Sequence, residues 1–141
     1  MKLLNELLKY SIAFIISMFL FVYILRLPYL VTQKNLIVNE YYFTNILTNL
    51  PLDFIFVLLY YLVAYFVINK FNIKKNVNKI IIIALVTVLL TGLFLLYFIS
   101  NKQTSNFFSR WFHNVGYSSI IYDVLLLIMI YMVYKKIGGL L

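Results

Sequence analysis

Asp53 and Asp123 are the residues of this chain whose type and setting could do chemistry, because each stands at or within a long apolar run. Asp53 opens "PLDFIFVLLYYLVAYFVI", and Asp123 interrupts "GYSSIIYDVLLLIMIYMVYKK", residues 116–136. An acid inside hydrocarbon usually faces a bundle interior, where it pairs with a cation or marks a pathway. A dry, unpaired one stays neutral and donates a hydrogen bond. Both also have a blander role open to them. Asn49, Pro51 and Asp53 read as an N-cap, a first-turn proline and a first-turn acid favoured by the helix dipole. Ser118 and Ser119 could start the last helix, leaving Asp123 within about two turns of its N-terminus. Arg26 is the natural partner of Asp53, and Arg110 or His113 could reach Asp123. Asp123 is therefore expected to be a structural anchor, satisfied by Arg110, His113, a Tyr hydroxyl or the first-turn amides of its own helix. A proton relay would need acids through the full thickness of a bilayer, and the two aspartates lie toward one side.

Other chemistries find no residues to carry them. The chain has no cysteine, which removes disulfides, thiolate nucleophiles and thiolate metal sites, and its single histidine, His113, cannot form a histidine metal box. No phosphate loop, nucleophile elbow, HExxH or paired-carboxylate spacing is present. Catalysis, a cofactor and a metal are not expected.

The elements that would position the two acids are membrane helices. Of the 141 residues, 65% are hydrophobic and only 11% charged, against about 25% charged in soluble domains. A chain this short cannot hide such an excess from water. A span needs about 20 apolar residues, and four segments qualify, over residues 10–31, 50–69, 80–99 and 115–134. They do not alternate polar and apolar residues as barrel strands do, so they are helices. The expected fold is all-α, a polytopic membrane protein of four spans in two hairpins forming one domain.

Lys2, Lys9, Lys70, Lys74, Lys75, Lys79, Lys135 and Lys136 flank one side of these spans. Arg26, Lys34, Lys102 and Arg110 flank the other. The positive-inside rule puts both termini and the 70–79 loop on the cytoplasmic side. "MKLLNELLK" reads as the start of an uncleaved signal anchor, since no small-residue cleavage site follows.

Between spans three and four, Phe107, Phe108, Trp111 and Phe112 recur at helical spacing, with Ser109, Arg110, His113 and Asn114 between them. This predicts a short amphipathic helix lying at the membrane interface, where Trp concentrates. A lid over a ligand, built on the same aromatics, is the rival reading. In the third span Ala84, Thr87, Thr91 and Gly92 form a stripe of small residues that lets a neighbouring helix approach closely. Ala13 and Ser17 are a smaller version in the first span.

Residues with AT-rich codons (Phe, Tyr, Met, Ile, Asn, Lys) make up half the chain, which implies AT-rich coding DNA of the kind found in some large DNA viruses, organelles and AT-rich bacteria or protists. "SRWFHNVGYSSIIYDVLLLIMIYMVYK", residues 109–135, resembles small polytopic membrane proteins encoded by large double-stranded DNA viruses, through its aromatic–Gly–aromatic opening and the "IYD" before an apolar run. The resemblance implies residence in a viral internal membrane or a host membrane remodelled by the virus. "VGYSSIIYD" is also similar to the first span of GtrA-type sugar-lipid flippase-like proteins, but here it stands in the last span.

The function expected from these readings is a non-enzymatic structural or assembly component of a membrane. The alternative is a small proton or cation channel or transporter using Asp53 and Asp123. Expected partners are the lipid bilayer, and other membrane proteins or a second copy through the small-residue faces, but not nucleic acid.

Overall fold

The computed structural model describes all 141 residues as an all-helical chain without a strand. Helix α1, Lys2–Met18, continues as a π-helical turn, Phe19–Ile24. Two short helices follow, α2 (Leu27–Thr32) and α3 (Asn35–Asn39), and α3 also widens into a π turn, Glu40–Thr44. Then come α4 (Ile46–Lys70), α5 (Asn76–Ser100), the short α6 (Phe107–Val115) and α7 (Ser118–Lys136).

Four of these elements are long and apolar enough to cross a membrane: Lys2–Ile24, Ile46–Lys70, Asn76–Ser100 and Ser118–Lys136. Their side-chain pattern shows why they bundle. On α5, Ile83, Thr87, Thr91 and Leu95 are buried at helical spacing, while Leu85, Leu89, Leu93 and Leu96 form an exposed stripe on the opposite face. Such a leucine stripe is unfavourable in water and matches a lipid surface. Mean hydropathy is lowest in α7, at 1.6 against 2.1 to 2.8 in the others. Asp123 and the tyrosines of α7 account for that.

The first span differs from the expected 10–31 at both ends. It starts at Lys2, because Glu6 and Lys9 pair with each other at 2.8 Å and make further bonds to the C-terminal segment. It stops at Ile24, because Arg26 takes a left-handed backbone (φ 52°) and Pro28 sits in the first turn of α2. A left-handed non-glycine residue ends a right-handed helix, and proline starts a new one readily.

Helix α7 packs against both α1 and α5, and α4 packs against α5. Helices α1 and α4 meet through aromatic rings, with Phe54 5.0 Å from Tyr10 and 5.3 Å from Phe14 between centroids. Ala13 and Ser17 are fully buried on α1, as are Thr87 and Thr91 on α5, whereas Ala84 and Gly92 are only half-buried. At one end of the bundle the two termini meet. The Tyr134 hydroxyl donates to Glu6, and Lys9 Nζ donates to the Gly138 carbonyl at 2.8 Å. Asn76, at the start of α5, accepts from Tyr131 at 3.5 Å, which places the lysine-rich 70–79 turn at this same end.

The segment between the first two spans is helical and folds inward. Ile37, Val38, Tyr41 and Tyr42 are buried at positions that share one helical face. Asn49 and Pro51 are not the cap and first turn of α4. The helix starts earlier, at Ile46, and the buried Asn49 amide donates instead to the Tyr41 carbonyl at 3.2 Å. That bond ties the inward fold of the segment to α4.

Candidate functional site: a cavity with two carboxylates

At the end of the bundle opposite the termini, a cavity of about 280 Å³ lies between α4, α5, α6 and α7. Thirteen of its fifteen lining residues are hydrophobic, and the other two are Asp53 and Asp123. The two acids reach it from different helices. Asp53 stands about two turns into α4, and Asp123 about one and a half turns into α7, on walls that α5 and α6 join. Both line the one cavity.

Each acid is held by a hydroxyl, and neither by a cation. The Tyr41 hydroxyl donates to Asp53 Oδ1. Thr91 Oγ1 donates to Asp123 Oδ2 at 2.7 Å, and the Tyr60 hydroxyl lies 3.2 Å from the same Thr91 oxygen. One hydroxyl on α5 therefore connects α4 to α7. The ion pairs expected from the sequence do not form. Arg26 is exposed, its guanidinium over the Tyr29 ring at 5.4 Å. Arg110 makes a two-pronged pair with Glu40, at 2.8 and 2.5 Å. The His113 ring nitrogens bond the carbonyls of Ser109 and Asn101, at 2.8 and 3.1 Å. The Asp123 partner is none of the groups named for it: a threonine from the small-residue stripe supplies the bond. Ser119 does not cap α7 either, since its hydroxyl donates to the Gly116 carbonyl at 2.7 Å.

The π turn Glu40–Thr44 organises the loop side of the site. Successive side chains on a helix point in different directions, so three consecutive residues serve three partners. Glu40 meets Arg110, Tyr41 meets Asp53, and the Tyr42 hydroxyl bonds that of Tyr122 on α7. The hydrogen bonds from Arg110 hold the Glu40 carboxyl below its ordinary range, and Glu40 raises the Arg110 guanidinium in turn. That pair is one-third exposed on both sides, so it fixes geometry more than it adds stability.

Helix α6 forms the roof. Asn106 caps it, its side chain accepting from the Phe108 amide at 2.9 Å. Trp111 is buried against Tyr41, with ring centroids 4.7 Å apart, and Phe112 stacks on Phe98 of α5 at 5.0 Å. The apolar face of this helix is therefore spent largely on protein, and Phe108, Trp111 and Phe112 line the cavity. Phe107 packs beside them on Tyr41 at 5.3 Å. Gly116 joins roof to α7 with φ 57° and ψ −135°, a backbone open to glycine and strained for other residues. The most exposed lining residues are Phe56 and Phe94, whose rings touch across α4 and α5 at 5.6 Å on the outer face. On that face the cavity is bounded by its most exposed side chains.

Sequence reasoning singled out the two acids and the roof aromatics but missed Tyr41, Tyr60 and Tyr122. The signal for Tyr41 was present: Ile37, Val38, Tyr41 and Tyr42 recur at helical spacing between the first two expected spans. Comparison with known protein families, with curated proteins and with solved structures finds no match for this chain.

Proposed function

We propose that this multi-pass membrane protein is a small carrier that binds a cation between Asp53 and Asp123 and exchanges it for protons. The observation supporting this reading is that two acids from separate helices face one apolar cavity without a cationic partner. Two ionised carboxylates in a low-dielectric space repel each other, and a bound cation or proton removes that cost. Arginine and histidine stand close by in the sequence, yet they bond elsewhere, which leaves both carboxyl groups without a fixed positive charge beside them. The cavity occupies one end of the bundle, so transport requires the opposite end to open in turn.

A structural role for the acids is the second reading. It is favoured by the single hydroxyl that each accepts, which ties Asp53 to Tyr41 and Asp123 to α5. In that reading the protein is an assembly component of its membrane, and the resemblance of residues 109–135 makes that membrane viral or virus-remodelled. For either role we propose that both termini and the 70–79 turn lie on the cytoplasmic side, following the lysine distribution. Lys34→Cys and Lys75→Cys should then label from opposite faces of sealed vesicles.

Flux through proteoliposomes holding a pH indicator separates the two roles. Vesicles would be offered potassium, sodium or quaternary ammonium cations on one side. The carrier reading requires proton movement dependent on an offered cation, and its loss in Asp53→Asn and Asp123→Asn variants that remain folded. Wild-type vesicles as tight as empty ones with every cation would leave the structural reading standing.

A further inference from the structure

We infer that the cavity takes a singly charged organic cation with an apolar body about the size of one aromatic ring, rather than an inorganic cation. This rests on the reading of Asp53 and Asp123 as a cation site and adds the class of its occupant. The first argument is the donor set. A bare metal ion needs most of its hydration shell replaced by oxygen ligands, six to eight for the harder cations. The cavity offers two carboxylates and a few hydroxyls already engaged with them or with each other, and no third acid, histidine or cysteine joins the pair. A cation whose charge is spread over alkyl groups has little hydration to replace.

The second argument is the wall. Outside the acids the lining is aromatic and aliphatic, and Tyr41, Trp111, Tyr60 and Tyr122 share the cavity wall with the carboxylates. Aromatic faces attract alkylammonium groups and do so more strongly when water is excluded, while the remaining apolar surface accepts a hydrocarbon body. The volume, about 280 Å³, stands just below the usual range of ligand pockets, about 300–1,000 Å³, which suits one ring and a small cationic head. The third argument is access. The wall formed by Phe56 and Phe94 faces outward among the lipid-facing residues, so a solute that partitions into the bilayer reaches the site sideways. An inorganic ion cannot take that route.

Trp111 is the only tryptophan of the chain and lines the cavity, so its fluorescence reports occupancy directly. The probe is benzyltrimethylammonium, titrated against the full-length protein in phosphatidylcholine nanodiscs. Its controls are neopentylbenzene, of the same shape without the charge, then tetramethylammonium, with the charge but no ring, and potassium. Saturable binding of the first should be at least tenfold tighter than that of each control. Asp53→Asn and Asp123→Asn should each weaken it at least tenfold while keeping the wild-type melting temperature within a few degrees. Where either variant unfolds, the dependence on charge is read instead from the wild-type protein, as the preference for benzyltrimethylammonium over neopentylbenzene. Equal binding of neopentylbenzene would show a greasy cavity indifferent to charge, and equal binding of potassium would show an ion site. Either result overturns the assignment, as does failure of benzyltrimethylammonium to saturate. Flux without preference for the aromatic cation leaves the carrier reading intact and removes only this inference. Binding without flux does the reverse.

Discussion

The two ends of the bundle treat the same functional group in opposite ways. At the terminal end, Glu6 accepts from Lys9, from the Tyr134 hydroxyl and from the Leu140 amide, so its charge is opposed and its oxygens are occupied. At the other end, Asp53 and Asp123 receive one hydroxyl bond each and face open volume. Glu40, close to that volume, again has a cation, Arg110. An acid that only fastens helices gathers donors until little capacity remains. Acids left with unused oxygens beside a cavity are available to something that arrives later.

Removing the acids is the strongest way to break this contrast. Glu6→Leu leaves Lys9 and Tyr134 without their acceptor and should be the more destabilising of the two kinds of substitution. The loss should appear as a lower melting temperature in detergent. Asp123→Asn keeps an acceptor for Thr91 and should cost less than about 1 kcal/mol while weakening cation binding at least tenfold. If Asp123→Asn proved the more damaging to stability, the two ends would not differ as described.

Next in size is the threonine that joins three helices. Thr91→Val keeps the volume, removes the hydroxyl, and should destabilise by about 1–3 kcal/mol because it leaves buried polar groups short of a partner. With Tyr60→Phe added, the two losses should fall short of additive by at least about 0.5 kcal/mol, as expected for neighbours sharing a bond. Strict additivity would mean that the Tyr60 contact contributes nothing. Tyr122→Phe removes a single buried hydroxyl pair with Tyr42, and about 1 kcal/mol is expected in the same unfolding assay.

The smallest effect belongs to the exposed pair. Glu40 has its carboxyl lowered by Arg110, so the pair contributes its full share above the ordinary glutamate value of 4.5 and loses it as pH falls below that. Acidification through that range should shift Trp111 emission as the roof loosens, and Glu40→Gln should remove the shift. A transition unaffected by Glu40→Gln would assign it to another group.

The four spans were legible in the sequence because hydropathy needs only a window of neighbours, and the face of α5 was legible because its buried and lipid-facing residues separate at helical spacing. The first span was misjudged where local signals mislead. Glu6 and Lys9 read as charges flanking an anchor until the C-terminal segment supplies partners for them, and the apolar run across Arg26 conceals a left-handed residue that ends the helix. The two π turns left no mark in residue type. The cavity was the least legible feature. Asp53 and Asp123 are seventy positions apart, and the residue that completes their setting, Tyr41, is buried only because the segment between the first two spans folds inward. Thr91 was recognised as small, which explains its place on a packing face, but its hydroxyl mattered as much as its size.

A hydroxyl carries one proton and can give it in only one direction. With the proton of Thr91 given to Asp123, the Tyr60 hydroxyl must point its own toward Thr91, so the row of bonds runs from α4 through α5 to α7. A proton settling on Asp123 lets the carboxyl become the donor, and the row can then turn around, with Tyr60 accepting. The orientation of a phenol on one helix thus records the charge of an acid on another, and it can be rewritten without moving either backbone.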